Sequence, residues 1–302
     1  MSGLCDGRVV IVTGSGGGLG RAHALAFATE GARVVVNDIG TSREGEGTSA
    51  GPAQQVVDEI QALGGEAVAN TSDVADWDGA QQLVQTALDT FGGLDVLVNN
   101  AGFLRDRMLA NMSVEEWDAV IRVHLRGHFC TLRHAAAYWR DESKAGRTRD
   151  ARVINTSSGA GLMGSVGQGN YAAAKAGIAA LTIQAAAELA RYGVAVNAIA
   201  PSARTRMTEV AMPDMMRAPE SGFDAMAPEN VSPLVVWLGS AESKDVTGRV
   251  FEVEGGIVSV ADGWQHGPRA DKGERWAPAE LGDVVRRLLD EAPAPTPVYG
   301  TS

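Results

Sequence analysis

The sequence predicts an α/β fold: a single domain in which a doubly wound, parallel seven-stranded sheet carries helices on both faces. Two observations predict it. Short β-branched runs alternate with Ala-rich helical segments along the chain, and this alternation is typical of parallel sheets with right-handed crossovers. The runs are also continuously apolar, as in strands that are buried on both faces. The predicted strands span residues 9–12, 33–37, 66–69, 94–98, 152–155, 195–199 and 250–253.

Helices are predicted between these strands, near residues 18–30, 52–63, 76–91, 113–140, 170–192 and 229–239. The pattern places one domain over residues 1–263, without a repeat or a second domain. Residues 264–302 form a C-terminal extension. It holds an amphipathic helical pattern at 278–289 and then a Pro-rich stretch that we expect to be extended or disordered.

Two long connections interrupt the alternation of strands and helices. Residues 40–51 are rich in Gly, Ser, Thr and Glu, and they follow the second strand. Residues 202–230 carry many Met and Pro residues. They rise from the carboxyl ends of the strands, where doubly wound folds bind ligands. We interpret this second connection as a substrate lid, and a surface loop with helical turns is the alternative.

Composition and charge argue against several classes of function. The net charge of −11 and the pI near 5.0 disfavour nucleic acid or an anionic membrane as partner. The five His and two Cys lack metal-ligand spacing, so we expect no metal site and free thiols at Cys5 and Cys130. No apolar run reaches about 18 residues, and the first strand begins too early to follow a signal peptide. We therefore expect a cytoplasmic protein.

A Gly-rich turn, Thr13-Gly-Ser-Gly-Gly-Gly-Leu-Gly20, follows the first strand and opens the first helix. Without side chains, the backbone of such a turn can approach a pyrophosphate at the helix N-terminus. This strand–turn–helix context predicts a dinucleotide site, and a tight turn without a ligand is the alternative. The residues expected to contact the cofactor here are Gly14, Gly18, Leu19 and Gly20.

Asp38 ends the second strand and indicates which dinucleotide is bound. A carboxylate at this place hydrogen-bonds the adenine-ribose 2′-hydroxyl and repels a 2′-phosphate. No Lys or Arg lies inside the Gly-rich turn before Gly20 to neutralise such a phosphate. NAD is therefore the expected cofactor, and a solvated Asp at a strand end is the alternative.

Residues at the ends of the third and fourth strands extend the predicted cofactor site. Asp73 and Val74 are placed to meet the adenine ring, and a cap for the next helix is the alternative for Asp73. Asn99, Ala101 and Gly102 belong to the run Asn-Asn-Ala-Gly that ends the fourth strand. The two Asn residues of this run should form a floor under the adenosine half and a hydrogen-bonded link between strands, and an ordinary turn is the alternative.

Tyr171 and Lys175 lie four residues apart in a predicted helix, so both side chains share one face. A free phenol has a pKa of about 10, and an ammonium about 4 Å away would lower it towards 7, giving a general base. Ser158 precedes Tyr171 by thirteen residues and would hold the substrate oxygen; Ser157 is the alternative. We therefore predict Ser158, Tyr171 and Lys175 as the catalytic residues.

Three further residues are candidates for the same site. Thr205 follows Pro201 closely and would bind the nicotinamide carboxamide, with Pro201 beside it; a plain loop Thr is the alternative. His124 lies in the middle of a predicted helix. We expect a packed histidine there, and a direct catalytic part is the alternative.

Together, these motifs resemble the short-chain dehydrogenase/reductase family over about residues 7–263. The resemblance implies a Rossmann fold. It matches Ser158, Tyr171 and Lys175 to the catalytic Ser, Tyr and Lys of the family, and both Tyr171 and Lys175 would also contact the cofactor. Other residues match its cofactor positions: Gly14, Gly18, Gly20, Asp38, Asp73, Asn99 and Thr205.

A narrower resemblance is to the dehydrogenase domains of the peroxisomal multifunctional enzymes of type 2. It rests on residues 18–27, 36–40, 104–107, 122–127 and 206–208. Members of that group oxidise (3R)-hydroxyacyl-CoA with NAD, and bacterial relatives act on fatty or steroid side-chain thioesters. The resemblance therefore implies an acyl-CoA substrate. The alternatives are a 3-oxoacyl carrier-protein reductase, a hydroxysteroid dehydrogenase and a dinucleotide-binding protein without turnover.

The chain departs from the wider family at two positions. The family usually has Asn, with a proton-relay role, where this chain and the narrower group have His124. The usual Pro-Gly after the sixth strand is Pro201-Ser202 here. The long Ala-rich helices near 113–140 and 170–192 match those that relatives pair across a two-fold axis, so we expect a homodimer or homotetramer.

Overall fold

The structure, a computed structural model, describes residues 3–40, 49–205, 208–211, 216–261 and 263–301. Most of the connection predicted at 40–51, and residues 206, 207 and 212–215 of the expected lid, lie outside the described residues. The described strands are β1 Val9–Thr13, β2 Arg33–Asn37, β3 Glu66–Asn70, β4 Val96–Asn99, β5 Ala151–Thr156, β6 Val194–Ser202, β7 Val250–Glu254 and β8 Ile257–Ala261.

These strands form one sheet in the order β3-β2-β1-β4-β5-β6-β7-β8. The first seven are parallel and lie where the apolar runs predict them. The order places the carboxyl ends of β1, β4 and β5 next to one another. Loops that follow these strands therefore meet at one edge of the sheet, where a doubly wound fold binds its ligand.

The prediction of seven strands is wrong by one, because β8 pairs antiparallel with β7. Glu254 lies opposite Ile257, so the connection is the two-residue turn Gly255-Gly256, a strong hairpin signal. The strand is nevertheless hard to recognise. Its side chains are largely exposed, so it lacks the buried character by which the other strands stand out.

Ten α-helices are described. The layer on one face of the sheet contains α1, α2 and α9, and the other layer contains α3, α5 and α7. The helices are α1 Gly18–Thr29, α2 Gly51–Ala62, α3 Trp77–Phe91, α4 Val114–Ile121, α5 Gly127–Lys144, α6 Gly159–Met163, α7 Gly169–Leu189, α8 Thr208–Ala211, α9 Ser232–Gly239 and α10 Leu281–Glu291. Short 3-10 turns lie at Leu109–Asn111, Ala190–Tyr192, Pro228–Asn230, Ala241–Ser243 and Pro278–Glu280.

The hydrophobic core fills both interfaces between sheet and helices. Phe27 of α1 packs in one layer and Trp139 of α5 in the other, and both side chains are fully buried. The indole Nε1 of Trp139 donates to the carbonyl of Leu94 at 2.7 Å, so burial leaves its polar atom paired. Both layers are therefore sealed, and the loops at the carboxyl edge remain available for chemistry.

The helix predicted at 113–140 consists of three parts. A capping box starts α4, since Ser113 accepts from the Glu116 amide while the Glu116 carboxylate accepts from the Ser113 amide. A π-helical segment, Arg122–Arg126, then joins α4 to α5. Such segments are common at functional sites, and this one contains His124. Helix α6 has only five residues, too few for a periodic pattern to predict it.

The extension has a helix, α10, in the region where the amphipathic pattern predicts one. Residues 298–301, beyond the Pro-rich stretch, make defined backbone contacts that are described below. No helix among the described residues is long and apolar enough to cross a membrane.

Candidate active site

The Gly-rich turn is shaped by close backbone approaches. Gly14 has φ +62°, and a Cβ there would lie 2.7 Å from the Cα of Ala101. A Cβ at Gly20 would lie 2.2 Å from the Gly14 carbonyl oxygen. Gly18 has φ +52°, and among the described residues a Cβ placed there would meet only the Thr205 side chain, whose Cγ2 would lie 3.6 Å away. The turn therefore leaves a cradle that side chains would fill, as a pyrophosphate site requires.

Leu19 lies in the first turn of α1 and packs partly buried against the core. Its side chain anchors the start of the helix, and its amide belongs to the N-terminus that faces the cradle.

Asp38 is held in place by the turn itself. Its Oδ2 accepts from the Gly16 amide at 2.8 Å and its Oδ1 from the Gly40 amide at 2.7 Å. The first basic residue after the turn, Arg21, is engaged by Glu59, with Nε 3.2 Å from Oε1. The carboxylate therefore stands beside the cradle without a cation directed at it from this helix.

The two asparagines after β4 join three strands. Asn99 donates through Nδ2 to the Oδ1 of Asn155 on β5 at 3.0 Å and accepts from the Thr131 hydroxyl at 2.7 Å. Asn100 donates through Nδ2 to the Thr13 carbonyl of β1 at 3.0 Å. The predicted link between strands is present through both asparagines, and Asn155 is the part of it that the sequence did not single out.

Asp73 has a cationic partner that the sequence does not reveal. Arg122, the first residue of the π-helical segment, donates from Nη2 to the Asp73 Oδ2 at 2.6 Å. Val74 beside it is buried. The cap of α3 is Asp76, which accepts from the Gly79 amide at 2.8 Å, so Asp73 is not the helix cap.

Ser158 and Tyr171 adjoin each other at the carboxyl end of β5. Ser158 caps α6 by accepting from the Ala160 amide at 3.2 Å, and its hydroxyl lies near enough to Tyr171 to lower the pKa of the phenol. The alternative, Ser157, is buried and donates its hydroxyl to the Lys175 carbonyl at 2.9 Å. Ser158 therefore faces the site, while Ser157 ties β5 to α7.

Lys175 is a buried ammonium with few partners. Its side chain is 2% exposed, and its Nζ donates to the Thr156 carbonyl at 2.6 Å. The same Nζ lies 5.4 Å from the centroid of the Tyr171 ring. Within the described part of the chain this is its one hydrogen bond, so donors remain that fit the ribose hydroxyls of a dinucleotide.

The spacing of Tyr171 and Lys175 predicts a lowered pKa for the phenol, but in the protein without cofactor this pKa is raised. Burial raises this pKa, the Ser158 hydroxyl lowers it and the Asp106 carboxylate raises it. The lysine itself is shifted, because burial lowers the pKa of Lys175 to about 7. The reason is geometric: Nζ stands over the ring in a dry environment, where its own charge is costly.

His124 packs against Tyr171 and is held by the backbone of Phe103. The two rings stand at 88° with centroids 5.2 Å apart. Its Nε2 lies 3.1 Å from the Phe103 amide nitrogen and 2.7 Å from the Phe103 carbonyl oxygen. Burial, followed by the Lys175 charge, lowers the pKa of His124 well below its usual value. His124 is therefore a neutral, packed ring that contacts the phenol.

Asn170 is a site residue that sequence reasoning missed. It is fully buried, and its Nδ2 donates to the carbonyls of Arg105 at 3.0 Å and Glu116 at 3.1 Å. Its Oδ1 accepts from the Tyr171 amide at 2.7 Å. This side chain joins α7 to two other segments directly before the phenol. A polar residue next to Tyr171 was the available signal.

The end of β6 leads to the expected nicotinamide position. Pro201 and Ser202 continue the strand and lie opposite Val253 and Glu254. Thr205 then exchanges hydrogen bonds with Thr208, whose Oγ1 accepts from the Thr205 amide at 2.8 Å. Ser202 in place of glycine thus extends a strand, and Thr205 still reaches the Gly-rich turn.

The structure brings the predicted residues to one edge of the sheet, although Asp73 is engaged by Arg122. Among the described residues, no group of three or more His, Cys, Asp or Glu side chains could hold a metal ion. The two cysteines are free and buried.

Comparison with known proteins gives consistent matches. The family model for short chain dehydrogenase matches residues 8–215. Hydroxyacyl-CoA dehydrogenase ChsB1 of Mycobacterium tuberculosis is 49% identical over 292 residues, which cover 93% of this chain and 88% of that protein. A crystal structure of a short chain dehydrogenase from Mycobacterium avium has a TM-score of 0.90 and 70% identity, and the match covers 99% of this chain and 100% of that one.

Two further relatives differ in length and in name. Peroxisomal multifunctional enzyme type 2 of Mus musculus is 47% identical over 253 residues, 84% of this chain but 32% of that enzyme. A 3-oxoacyl-acyl-carrier-protein reductase of Synechocystis is 43% identical over 256 residues, 83% of this chain and 97% of that protein. The chain thus spans about a third of the multifunctional enzyme.

Proposed function

Because the chain belongs to the short-chain dehydrogenase family, we propose that it oxidises the 3-hydroxyl group of a (3R)-hydroxyacyl-CoA with NAD. Membership makes it an oxidoreductase that acts on CH–OH groups. The observation that carries the proposal is the cluster of Ser158, Tyr171 and Lys175 beside the Gly-rich cradle. The cluster supplies a proton acceptor and an oxygen-binding group next to a dinucleotide site.

The residues of the cradle fit a nicotinamide dinucleotide. The open side of Gly18 would receive the pyrophosphate, and the free donors of Lys175 would hold the nicotinamide ribose. When bound, NAD supplies the acceptor for the substrate hydride. The preference for NAD over NADP is supported by Asp38, whose carboxylate would accept from a ribose 2′-hydroxyl and repel a phosphate.

The remaining cofactor assignments follow the same placement. Asp73, Val74, Asn99, Ala101 and Gly102 follow β3 and β4, on the side of the cradle expected to hold adenosine. Pro201 and Thr205 follow β6 on the opposite side, where the nicotinamide would lie.

Tyr171 is the proposed general base. Its phenolate would take the proton of the substrate hydroxyl as the hydride leaves the same carbon. The Ser158 oxygen accepts from the Ala160 amide, and its O–H would donate to the substrate oxygen as that oxygen becomes a carbonyl. Protonated Lys175 would stabilise the phenolate through its charge, and His124 supports the ring from the side.

The acyl-CoA substrate is supported by two relatives. One carries hydroxyacyl-CoA dehydrogenase in its name and matches nearly the whole chain, and the other is a multifunctional enzyme of which the chain matches a part. The (3R) configuration comes from the resemblance to the multifunctional group and is part of the proposal.

A second candidate is a 3-oxoacyl carrier-protein reductase, which the similarity to the Synechocystis protein supports. Such an enzyme, working in the reductive direction, would favour NADPH. Asp38 argues against this cofactor, because its carboxylate would repel the 2′-phosphate. A hydroxysteroid dehydrogenase would share the same catalytic residues and differ in the pocket. A binding protein without turnover is disfavoured, because Tyr171 and Lys175 are both present and in contact.

We propose the cytoplasm as the compartment and a homo-oligomer as the assembly. Free, buried Cys5 and Cys130 are compatible with a reducing environment. Exposed apolar side chains lie on α4, α5 and α7, the helices proposed to pair across a two-fold axis: Val114, Trp117, Phe129 and Ile183.

The experiment that tests the function is a cofactor-reduction assay with the (3R) and (3S) forms of a 3-hydroxyacyl-CoA, each with NAD and with NADP. We expect turnover of the (3R) form with NAD. Asp38→Ala should narrow the ratio of kcat/KM between the cofactors, whereas Asp58→Ala, which removes an exposed carboxylate on α2, should leave it unchanged. Tyr171→Phe should lose at least about 10²-fold in kcat and still bind NAD.

Three results would contradict parts of this proposal. A wild-type preference for NADP would overturn the assignment of Asp38. Turnover of a hydroxysteroid or an acyl carrier protein but of no acyl-CoA would replace the substrate. If Tyr171→Phe kept most of its activity, the base would be another group and His124 would be tested first.

A further inference from the structure

Residues 298–301, here called the tail, dock beside the catalytic serine. The Tyr299 amide donates to the Gly164 carbonyl at 3.2 Å, and the Val166 amide donates to the Tyr299 carbonyl at 2.9 Å. Thr301 closes the tail into a turn through its amide and hydroxyl, which donate to the Val298 carbonyl at 3.1 and 2.7 Å. The tail is thus paired, strand-like, with the loop that follows α6.

Two glycines of that region leave room for the tail side chains. A Cβ at Gly159 would lie 2.9 Å from the Tyr299 hydroxyl oxygen and 3.0 Å from its Cε2. A Cβ at Gly164 would lie 3.2 Å from the Val298 Cγ1. Because Gly159 directly follows Ser158, the Tyr299 hydroxyl lies against the first turn of the helix that Ser158 caps.

The loop that the tail covers joins the helix that follows Ser158 to the helix that carries Tyr171. Residues 164–168 run from α6, which Ser158 begins, to α7, which carries Tyr171. On its other side the loop is held by the Arg107 amide, which donates to the Gly167 carbonyl at 2.7 Å, and by Gln168, which donates to the Asp106 Oδ2 at 2.9 Å. The tail also holds this loop, through its hydrogen bonds with Gly164 and Val166.

The described part of the extension before the tail is largely exposed. Helix α10 has no buried residue, and Trp264 is fully exposed. Tyr299 and Val298 are also partly exposed, at 50% and 40%, so the tail is held by few contacts. Its removal should therefore leave the domain folded.

We propose that the tail forms a wall of the substrate site and that Tyr299 is a specificity-determining residue. The dinucleotide cradle lies at β1, β2 and β4, whereas Ser158 follows β5. The substrate must reach Ser158 from the side that the cofactor leaves free, and α6 with its loop borders that side. The Tyr299 ring narrows this approach next to the oxygen-binding serine.

The inference rests on the proposed function only for the chemistry of the substrate, a 3-hydroxyacyl thioester. A wall near the reacting carbon contacts the part of the acyl group that every substrate shares. A short acyl chain has few other contacts, so it depends on Tyr299 more than a long chain does.

The test compares the full chain with a chain that ends at Pro297, with Tyr299→Ala and with Tyr299→Phe. Kinetics are measured on one short and one long 3-hydroxyacyl-CoA, and NAD binding is measured by calorimetry. Tyr299→Ala and the shortened chain should lose about tenfold in kcat/KM on the short substrate, mainly through KM, and less on the long one. Tyr299→Phe should lose less than Tyr299→Ala, because it keeps the ring, and the NAD Kd should stay unchanged.

Trp264→Ala is the matched control, since it removes an exposed aromatic side chain of the same extension. Hydrogen exchange adds a readout without catalysis: the Val166 amide should exchange faster in the shortened chain. The proposal is wrong if Tyr299→Ala and the shortened chain have the wild-type kcat/KM on both substrates. It is also wrong if their Kd for NAD changes as much as their KM for the acyl-CoA does.

Failure of the proposed function would look different. If wild type turned over no acyl-CoA, the same variants would be compared on whichever secondary alcohol it oxidises. A raised KM for that alcohol in the Tyr299 variants, with an unchanged KM in Trp264→Ala, would still support the proposal that the tail forms a wall of the substrate site. An unchanged KM in the Tyr299 variants would overturn the proposal.

Discussion

At the scale of single residues, Lys175 is a cationic side chain in a buried environment. The side chain is buried, its Nζ donates one hydrogen bond in the described part of the chain, and burial lowers its pKa to about 7. An unfolded lysine has a pKa of about 10.4. Between these two values the unfolded chain binds a proton that the folded chain does not.

This difference predicts a pH dependence of stability for the cofactor-free protein. Folding excludes the proton, so the lysine costs stability at pH 7, and the cost decreases as the pH rises towards the unfolded pKa. Relative to Lys175→Met, wild type should gain about 2 kcal/mol in free energy of unfolding between pH 7 and 9. Urea unfolding of both proteins at several pH values measures the difference.

Lys144→Met is the control, because it removes an exposed lysine at the end of α5. Its free energy of unfolding should follow that of wild type across the same range. Parallel pH curves for wild type and Lys175→Met would show that burial does not shift this lysine.

At the scale of elements, the π-helical segment between α4 and α5 sets the position of His124. The segment directs the ring towards β4, where Gly102 allows it to approach the backbone. A Cβ at Gly102 would lie 2.1 Å from the His124 Cε1. The same ring contacts Tyr171, so this glycine affects the proposed catalytic phenol through one intermediate residue.

Gly102→Ala should therefore destabilise the protein and slow turnover. Overpacking of this kind costs about 1–3 kcal/mol, and displacement of His124 removes the lateral support of Tyr171. Thermal or urea unfolding gives the stability, and kcat reports on the phenol. His124→Ala added to Gly102→Ala should recover part of the lost stability, since the smaller side chain relieves the clash.

Gly256→Ala provides the comparison, because a Cβ at Gly256 would meet no atom of the described residues within 4 Å. It should change neither stability nor kcat appreciably. An equal effect of the two substitutions would mean that the contact with His124 is not what makes Gly102 necessary.

At the scale of the whole molecule, the exposed apolar side chains on two helices bear on the oligomeric state. Phe129 of α5 and Ile183 of α7 are large apolar residues whose surface is about half exposed. Exposed apolar groups on adjacent helices are typical of an interface between subunits. We expect wild type to be a dimer or tetramer by light scattering at micromolar concentration.

Phe129→Glu combined with Ile183→Glu should shift the protein towards a smaller species, because a charge buried in an interface without a partner is unfavourable. Leu63→Glu, an exposed position at the end of α2, should leave the mass unchanged. A monomeric wild type, or a double variant with the mass of wild type, would exclude these helices as the interface.

Much of the fold and of the site could be predicted from the sequence, because the signals are local. Seven apolar runs mark seven strands, and the Gly-rich turn directly follows the first of them. The spacing of Tyr171 and Lys175 places both on one face of α7. Strand periodicity, helical periodicity and glycine turns involve only neighbouring residues, so the sequence by itself determined the fold class, the cofactor cradle and the three candidate catalytic side chains.

Only the tertiary structure decided which distant residues meet. Arg122 pairs with Asp73, Asn170 joins α7 to the segments before it, and Tyr299 reaches Gly159. The direction of the pKa shifts at Tyr171 and Lys175 also depends on burial by residues from several elements. These properties arise from contacts between residues far apart in the chain, and no local pattern encodes which of them are made.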